Sequence, residues 1–335
     1  MESFTKSFTD LHRLIKKHNR FVLTSHIHTD GDAVGSLMAL FYYLESAGKT
    51  VEILLPGDVP AKYSFLNTNQ YVNRLPQPKR KSYIRDADVV IILDISALNR
   101  LGQLFPEIRK SRALKVCIDH HPFEKADWID MDIIHTERVA AAELVYQFFK
   151  TNKIQINLDI AKALYTGILS DSGSFRFQRT DSFTFKMASD LVKSGIDPSE
   201  IYGYIYENGT QNQLRAWGSI LSGMESMGDV AWLSIKKETL DAYNLTLEDF
   251  DGIIDILRKN RDALIVMVFV EKSANEVMVG LRSKNGFDVG DLARKFGGGG
   301  HFHAAGFTGF DRLEKVINNT VSMIDTIISE KKDKG

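Results

Sequence analysis

The chain has 335 residues, 44% apolar and 25% charged, with 42 Lys plus Arg against 43 Asp plus Glu and a formal net charge of −1. This is the composition of an ordinary globular protein, which excludes disordered and fibrous classes. Near-zero charge also excludes a long basic groove for duplex nucleic acid, since such binding needs many Lys and Arg contacts to phosphate.

The length predicts about two domains. The N-terminus, "MESFTKSFTDLHRLIKKHNRF", mixes charge throughout and has no apolar signal core, so a cytoplasmic protein is expected. Strand-like runs at 21–26, 51–55, 89–94 and 115–118 alternate with helix-like segments at 33–47, 100–111, 139–150 and 158–170. That alternation predicts a parallel α/β sheet. Gly48 is placed to stop the first of these helices. Cys117, the chain's single cysteine, lies in the apolar run "KVCID" and reads as a buried structural thiol. A further helical run, "SFTFKMASDLVKSG", closes a first domain at Gly195, giving 1–195.

Residues 196–224 have helical segments and few strand signals and read as a helical linker. The second domain, 225–330, changes pattern. "DVAWLSI", a helix through "LEDFDGIIDILRKN", and the runs "ALIVMVFVE" and "NEVMVGLRS" around a Ser-Ala-Asn turn predict a smaller α+β domain with a hairpin. A helix at 289–296, the segment "GGGGHFHAAGF", a strand and an amphipathic helix at 312–329 complete it. The longest apolar runs, "VVIIL" and "ALIVMVFV", fall far short of the ~20 residues a membrane-spanning helix needs. No membrane partner is expected.

In open parallel sheets ligands bind at the carboxyl ends of strands. Those ends carry His26, Asp30 and Asp32 in "SHIHTDGDAVGS", Asp94 in "ILDIS", and Asp119, His120 and His121 in "IDHH". The end of a later helix, in "TGILSDSGSF", adds Asp171. One aspartate after a strand is a common cap or turn former. Asp and His delivered by four segments to one face point instead to a metal site. Carboxylates with few imidazoles and no thiolate suit Mn²⁺ first, with Mg²⁺, Co²⁺ or Fe²⁺ as alternatives, over structural zinc. So many carboxylates imply two divalent cations, about 3.5 to 4 Å apart, as in many phosphoesterases. In the second domain, the glycines of 297–300 allow backbone N–H groups to approach an anion, and His301 and Arg282 offer positive partners.

These five motifs, "SHIHTDGDAVGS", "ILDIS", "IDHH", "GILSDSGSF" and "GGGGHFHAAGF", stand in the order and spacing of the DHH phosphoesterase family. The chain resembles its NrnA-type branch of nano-RNases and pAp phosphatases over about residues 10–325. Many relatives carry a proline where Thr29 stands, a departure that touches turn rigidity rather than a ligand. The resemblance implies a parallel-sheet N-terminal DHH domain, a DHH-associated C-terminal domain and an active site in the interdomain cleft. It implies one metal on His26, Asp30 and Asp94, and a second on Asp32, Asp94, His120 and Asp171, with Asp94 bridging. His121 would face the scissile phosphate and Asp119 would orient the histidines. Arg282, Ser283, Gly298, Gly299, Gly300, His301 and His303 would bind substrate, although His303 equally suits a strand edge. His28 and His135 read as turn or loop residues, and Arg176 either lines the cleft or forms a salt bridge.

The expected activity is metal-dependent hydrolysis at the phosphorus–O3′ bond, releasing 5′-mononucleotides from short RNA or DNA and AMP from pAp. A homodimer is implied by resemblance only. The alternatives are a cyclic dinucleotide or pApA phosphodiesterase, a family II pyrophosphatase and, from another class, a non-enzymatic nucleotide-binding module.

Overall fold

The structure is a computed structural model that describes residues 2–122, 126–246, 252–284 and 287–332. Chain contacts divide it into two units, Met1–Asn208 and Gly209–Gly335.

The first unit is built on a five-stranded, wholly parallel sheet in the order β2-β1-β3-β4-β5. Its strands are β1 (Arg20–Thr24), β2 (Thr50–Ile53), β3 (Val89–Leu93), β4 (Leu114–Asp119) and β5 (Met131–Ile134). Both faces are buried, as a parallel sheet requires. Phe21, Leu23, Ile91 and Val116 pack on one side under the helices Gly31–Ser46, Ala141–Thr151 and Leu158–Asp171. Val22, Val90, Ile92 and Cys117 pack on the other side with Ile84 and Ile108. The helix Gly31–Ser46 ends where expected, with Gly48 at φ 72°, the left-handed position glycine favours after a helix.

Several elements of this unit were not anticipated, among them three short helical segments, Ala61–Leu66, Thr68–Tyr71 and Gln77–Arg85, between β2 and β3. The N-terminal segment forms a helix, Glu2–Lys17, whose Phe8, Leu11 and Ile15 are buried in the core. "MDII" forms the edge strand β5, of which only Ile133 is fully buried. The 196–224 segment is shared between the units: the helix Pro198–Tyr206 belongs to the first and the helix Gln211–Ser222 to the second.

The second unit holds a mixed six-stranded sheet, β10-β11-β9-β8-β7-β6. The strands are β6 (Glu225–Met227), β7 (Val230–Ile235), β8 (Ile265–Ser273), β9 (Glu276–Ser283), β10 (Gly299–His301) and β11 (Ala304–Gly309). Neighbours are antiparallel except β7 and β8. The expected hairpin is β8–β9. One face packs Met267, Leu281 and Phe307 against Leu292, Val316 and Ile324. The other packs Leu233, Val266 and Val268 against Ala216, Ile253 and Leu257. The start of the predicted helix at "LEDF" lies outside the described residues. Among the described residues no helix is long and apolar enough to cross a membrane.

Candidate active site

The order of the parallel sheet reverses between β1 and β3, because the chain steps from β1 outward to β2 and then returns to β1's other side. The crevice beyond the carboxyl ends at such a reversal is where open α/β sheets bind ligands. Ser25 joins the two strand exits by donating its hydroxyl to the Asp94 carbonyl at 3.3 Å. Thr29, at the place of the family's proline, is buried and donates its hydroxyl to the His26 carbonyl at 3.1 Å, fixing the turn by a hydrogen bond. Asp30 then caps the helix Gly31–Ser46, accepting the N–H groups of Asp32 and Ala33 at 3.1 Å each.

Beyond β3, Asp94 and Ser96 sit at φ 51° and 52°, a left-handed conformation that aspartate tolerates better than most side chains. Asp119, the last residue of β4, stabilises this turn: its Oδ2 accepts the N–H of Ile95 at 3.0 Å and of Ser96 at 2.7 Å. Its Oδ1 accepts from the His121 backbone at 3.0 Å and lies 2.8 Å from His121 Nδ1.

These turns gather the predicted residues of the first unit. Asp94 faces two ways. Its Oδ2 lies 3.7 Å from His26 Nε2, which is also 3.7 Å from Asp30 Oδ2. Its Oδ1 lies 3.4 Å from His120 Nε2, which is 3.2 Å from Asp171 and 3.7 Å from Asp32. His26, Asp30 and Asp94 form one potential metal-holding group, and Asp32, His120 and Asp171 another.

The helices behind the site approach closely at glycines. A Cβ on Gly31 would stand 2.6 Å from Ser170 Cβ, and one on Gly167 would stand 2.5 Å from Ala142 Cβ and 2.8 Å from Asp32 Oδ1. That contact brings the end of Leu158–Asp171, and so Asp171, to Asp32.

Packed acids and imidazoles perturb one another. Burial first, then the charges of Asp94 and Asp171, push the Asp32 carboxyl well above the usual carboxylate range. Burial also raises Asp171, against the pull of His120. Asp94 is held well below that range: burial works against its charge, but His120, His121 and His26 outweigh it. For His26 burial opposes the charged form, yet Asp30 and Asp94 hold its pKa up at about 10. His120 is raised despite burial by Asp171 and Asp94, and His121 likewise by Asp119 and Asp94.

The donor set fits divalent cations. Asp94 Oδ1 and His120 Nε2 are buried and make no hydrogen bond, which in a stable interior asks for a partner of another kind. His120 Nδ1 lies 3.2 Å from the Arg138 carbonyl, so that nitrogen donates its N–H and leaves the Nε2 lone pair to the cluster, the usual arrangement of a metal-ligating histidine.

Comparison with known proteins agrees with this architecture. Residues 20–168 match the DHH family, N-terminal domain, and residues 234–330 match the DHHA1 domain. The chain carries a DHH N-terminal domain and a DHHA1 domain. It is 26% identical over 322 residues to the bifunctional oligoribonuclease and PAP phosphatase NrnA of Mycoplasma genitalium, covering 95% of this chain and 98% of that protein. The protein of the same name from Bacillus subtilis is 28% identical over 316 residues, covering 92% and 96%. The crystal structure of an exopolyphosphatase-related protein from Bacteroides fragilis superposes with a TM-score of 0.90 at 26% identity, covering 97% and 98% of the two chains.

The other predicted residues lie in the DHHA1 unit. Arg282 and Ser283 end β9, and "GGGGH" runs into strand β10 rather than forming a loop. Ser283 is fully buried, donates its hydroxyl to the Phe287 carbonyl at 2.6 Å and lies 2.9 Å from His303 Nδ1. Ser283 and His303 thus tie the end of β9 to the β10–β11 turn. Burial lowers the His303 pKa. Gly298 and Gly300 are demanded by packing, since a Cβ on either would collide with β11. Gly299 has nothing within 4 Å of a Cβ position. The His301 side chain lies outside the described residues, although its backbone is in β10. His28, at φ 60°, is exposed, and neither it nor His135 joins the potential metal-holding groups found among the described residues.

Two arginines of the DHH unit escaped the sequence reading. Arg100 brings Nη2 within 2.9 Å of His26 Nδ1 and donates from Nη1 to Ser96 Oγ at 2.8 Å. Arg138, whose carbonyl faces His120, lies 3.8 Å over the Phe183 ring and 4.0 Å from Glu143. The signal for Arg100 was its place just after "ILDIS", at the sheet's reversal point; Arg138 acts through a carbonyl that any residue would supply.

Proposed function

We propose that this chain is a Mn²⁺-dependent phosphoesterase that hydrolyses short RNA or DNA oligonucleotides to 5′-mononucleotides and pAp to AMP. One observation carries the reading: the two oxygens of Asp94 are directed to two separate acid–histidine groups. The activity named for the NrnA relatives, which align over nearly the whole chain, supports it.

His26, Asp30 and Asp94 would hold one cation, and Asp32, Asp94, His120 and Asp171 the other. When bound, the pair supplies the positive charge and water activation that phosphoester hydrolysis needs at neutral pH. The protein's own groups do the rest. Water adds to phosphorus in line, the bond to O3′ breaks, and the leaving oxygen takes a proton. His121 is held for that transfer by Asp119, whose Oδ1 lies 2.8 Å from its Nδ1. Arg100, beside His26, offers a guanidinium to the phosphoryl oxygens. In the DHHA1 unit, Arg282, Gly299 and His301 take the terminal phosphate of the substrate, while Gly298, Gly300, Ser283 and His303 shape the strand ends that carry them. The preference for short chains agrees with the near-neutral net charge.

The test is Mn²⁺-dependent product release from a 5′-phosphorylated RNA dinucleotide, pAp, a long RNA, cyclic di-AMP and pyrophosphate in parallel. Fast conversion of the first two alone is the expected result. Turnover of cyclic di-AMP or pyrophosphate alone would move the chain to another activity of the fold, and inertness with every metal would leave a nucleotide-binding module.

A further inference from the structure

The helix Leu158–Asp171 stops in an ordinary way, but the turn after it is unusual. Gly173, at φ 56°, is the left-handed residue of a Schellman stop: its N–H reaches the Ser170 carbonyl at 3.0 Å, and the Ser174 N–H reaches the Leu169 carbonyl at 2.9 Å. That stop is complete with Gly173. Ser174 and Phe175 nevertheless follow at φ 60° and 65°, a conformation uncommon for any residue with a side chain and rarer for a bulky one. Ending a helix requires neither. Strain of this kind persists only where the surroundings impose it, and it gathers at functional sites.

Part of the constraint lies within the turn. Ser172 is fully buried; its Oγ accepts the Phe175 N–H at 2.8 Å, and its carbonyl accepts the N–H groups of Arg176 and Phe177 at 3.0 Å each. The Phe175 ring packs on Phe185, with centroids 5.5 Å apart. The rest of the constraint is Tyr206, the last residue of the helix Pro198–Tyr206. Its hydroxyl donates to the Leu169 carbonyl at 3.4 Å and accepts from the Ser174 hydroxyl. Tyr206 is 44% exposed, yet burial raises the pKa of its hydroxyl, so the apolar ring meets solvent and the polar tip points inward. A tyrosine ordinarily does the reverse. The helix that carries it is itself anchored, by buried Ile201 and Ile205 and by Tyr204, which stacks on Phe65 at 4.6 Å.

Asp171 sits between the two points that Tyr206 touches, Leu169 and Ser174. It stands at the negative pole of its helix, the unfavourable end for a carboxylate, beside the like charges of Asp30 and Asp94. Apart from the pull of His120, charge drives this side chain away from the cluster. We propose that Tyr206 is a positioning residue of the candidate metal site: by holding Leu169 and Ser174 it fixes the main chain under Asp171 and keeps that carboxylate 3.2 Å from His120 Nε2, ready for the cation of the Asp32, His120 and Asp171 group. The proposal rests on the reading of Asp171 as a metal donor. Partners that orient a ligating side chain without touching the metal set its affinity, and the left-handed Ser174 and Phe175 are the conformation that this fixed donor imposes on the chain after it.

The experiment is titration of the intact chain with Mn²⁺, reading free Mn²⁺ by electron paramagnetic resonance and melting temperature on the same samples. Tyr206→Phe keeps the ring and removes the hydroxyl. It should weaken one of the two bound ions about 10-fold or more, leave the other unchanged, and leave KM for the dinucleotide at saturating Mn²⁺ near the wild-type value. Ser174→Gly relaxes a left-handed residue and removes the bond to Tyr206, so it should melt like the wild type yet bind the same ion more weakly. A purely structural tie would change affinity only as far as melting temperature falls. Wild-type Mn²⁺ affinity in either folded variant, or a loss of affinity that merely follows melting temperature in both, would overturn the proposal. Asp171→Asn in the same titration separates the two readings. If it binds both ions like the wild type, the donor assignment fails and the role of Tyr206 with it. If it loses one ion while Tyr206→Phe keeps both, only the role of Tyr206 fails.

Discussion

Asp32 Oδ2 accepts the backbone N–H of Ala141, and Oδ1 accepts that of Ala142 at 2.9 Å, although the aspartate belongs to a helix 109 residues earlier. Ala140 gives the helix Ala141–Thr151 no side-chain cap, so Asp32 takes that role and satisfies two of its unpaired donors. A residue of the candidate metal site is therefore also a structural tie between two helices.

This tie depends on Gly167. Adding one methyl there places it against Ala142 and the Asp32 carboxylate, an overpacking that costs about 1–3 kcal/mol. Gly167→Ala should lower the melting temperature and reduce Mn²⁺ affinity together. A variant that melts like the wild type and binds metal equally would show that the helices can part without disturbing Asp32.

Asp94→Ala should remove turnover with every substrate and lower the number of Mn²⁺ ions bound per chain. Equilibrium dialysis with metal analysis reads the stoichiometry, and circular dichroism checks the fold. Wild-type turnover in a folded Asp94→Ala protein would sink the two-metal assignment.

The metal-free protein should lose stability in alkali. His26 has its pKa held at about 10 against an ordinary 6.5, so its stabilising contribution is complete below about 6.5 and disappears as pH rises through about 10. The raised carboxyls of Asp32 and Asp171 act in the same direction. Melting temperature without metal should therefore fall between pH 7 and 10. Mn²⁺ affinity should rise over the same interval, because ligation displaces those protons. Calorimetry in two buffers of different ionisation enthalpy measures the proton release; binding with none would contradict the assignment.

Glu143 is a positioning residue. Its carboxylate is buried, accepts the Val139 N–H at 3.2 Å and the Thr184 hydroxyl, and faces Arg138, whose carbonyl orients His120. Glu143→Ala should weaken metal binding about 10-fold or more while leaving KM at saturating metal near the wild-type value. Restoration by Glu143→Gln, which keeps an acceptor for Val139, would assign the effect to that hydrogen bond rather than to charge.

The strand exits of the DHH unit could be read from sequence because continuous apolar runs stop at an Asp or His, as at Leu93–Asp94 and Ile118–Asp119. Met131–Ile134 gave no such signal, since an edge strand with one fully buried residue has little apolar pattern. Phe8, Leu11 and Ile15 carry helical spacing, but interleaved charges mask it. β10 was hidden for a different reason: glycines disfavour strands locally, and only the collision that side chains at 298 and 300 would make with β11 explains a strand there. Arg100 meets His26 through the adjacency of β1 and β3, which tertiary structure creates.

The division between Asn208 and Gly209 also bears on biosynthesis. Among the described residues every candidate metal donor, from His26 to Asp171, precedes the break, and the five-stranded sheet beside them pairs with no strand of the later unit. As the chain leaves the ribosome, N-terminal first, the donor set is complete while residues 209–335 are still being made. Capacity to capture metal ions thus precedes synthesis of Arg282 and the glycine strand, and cation loading need not wait for translation to end.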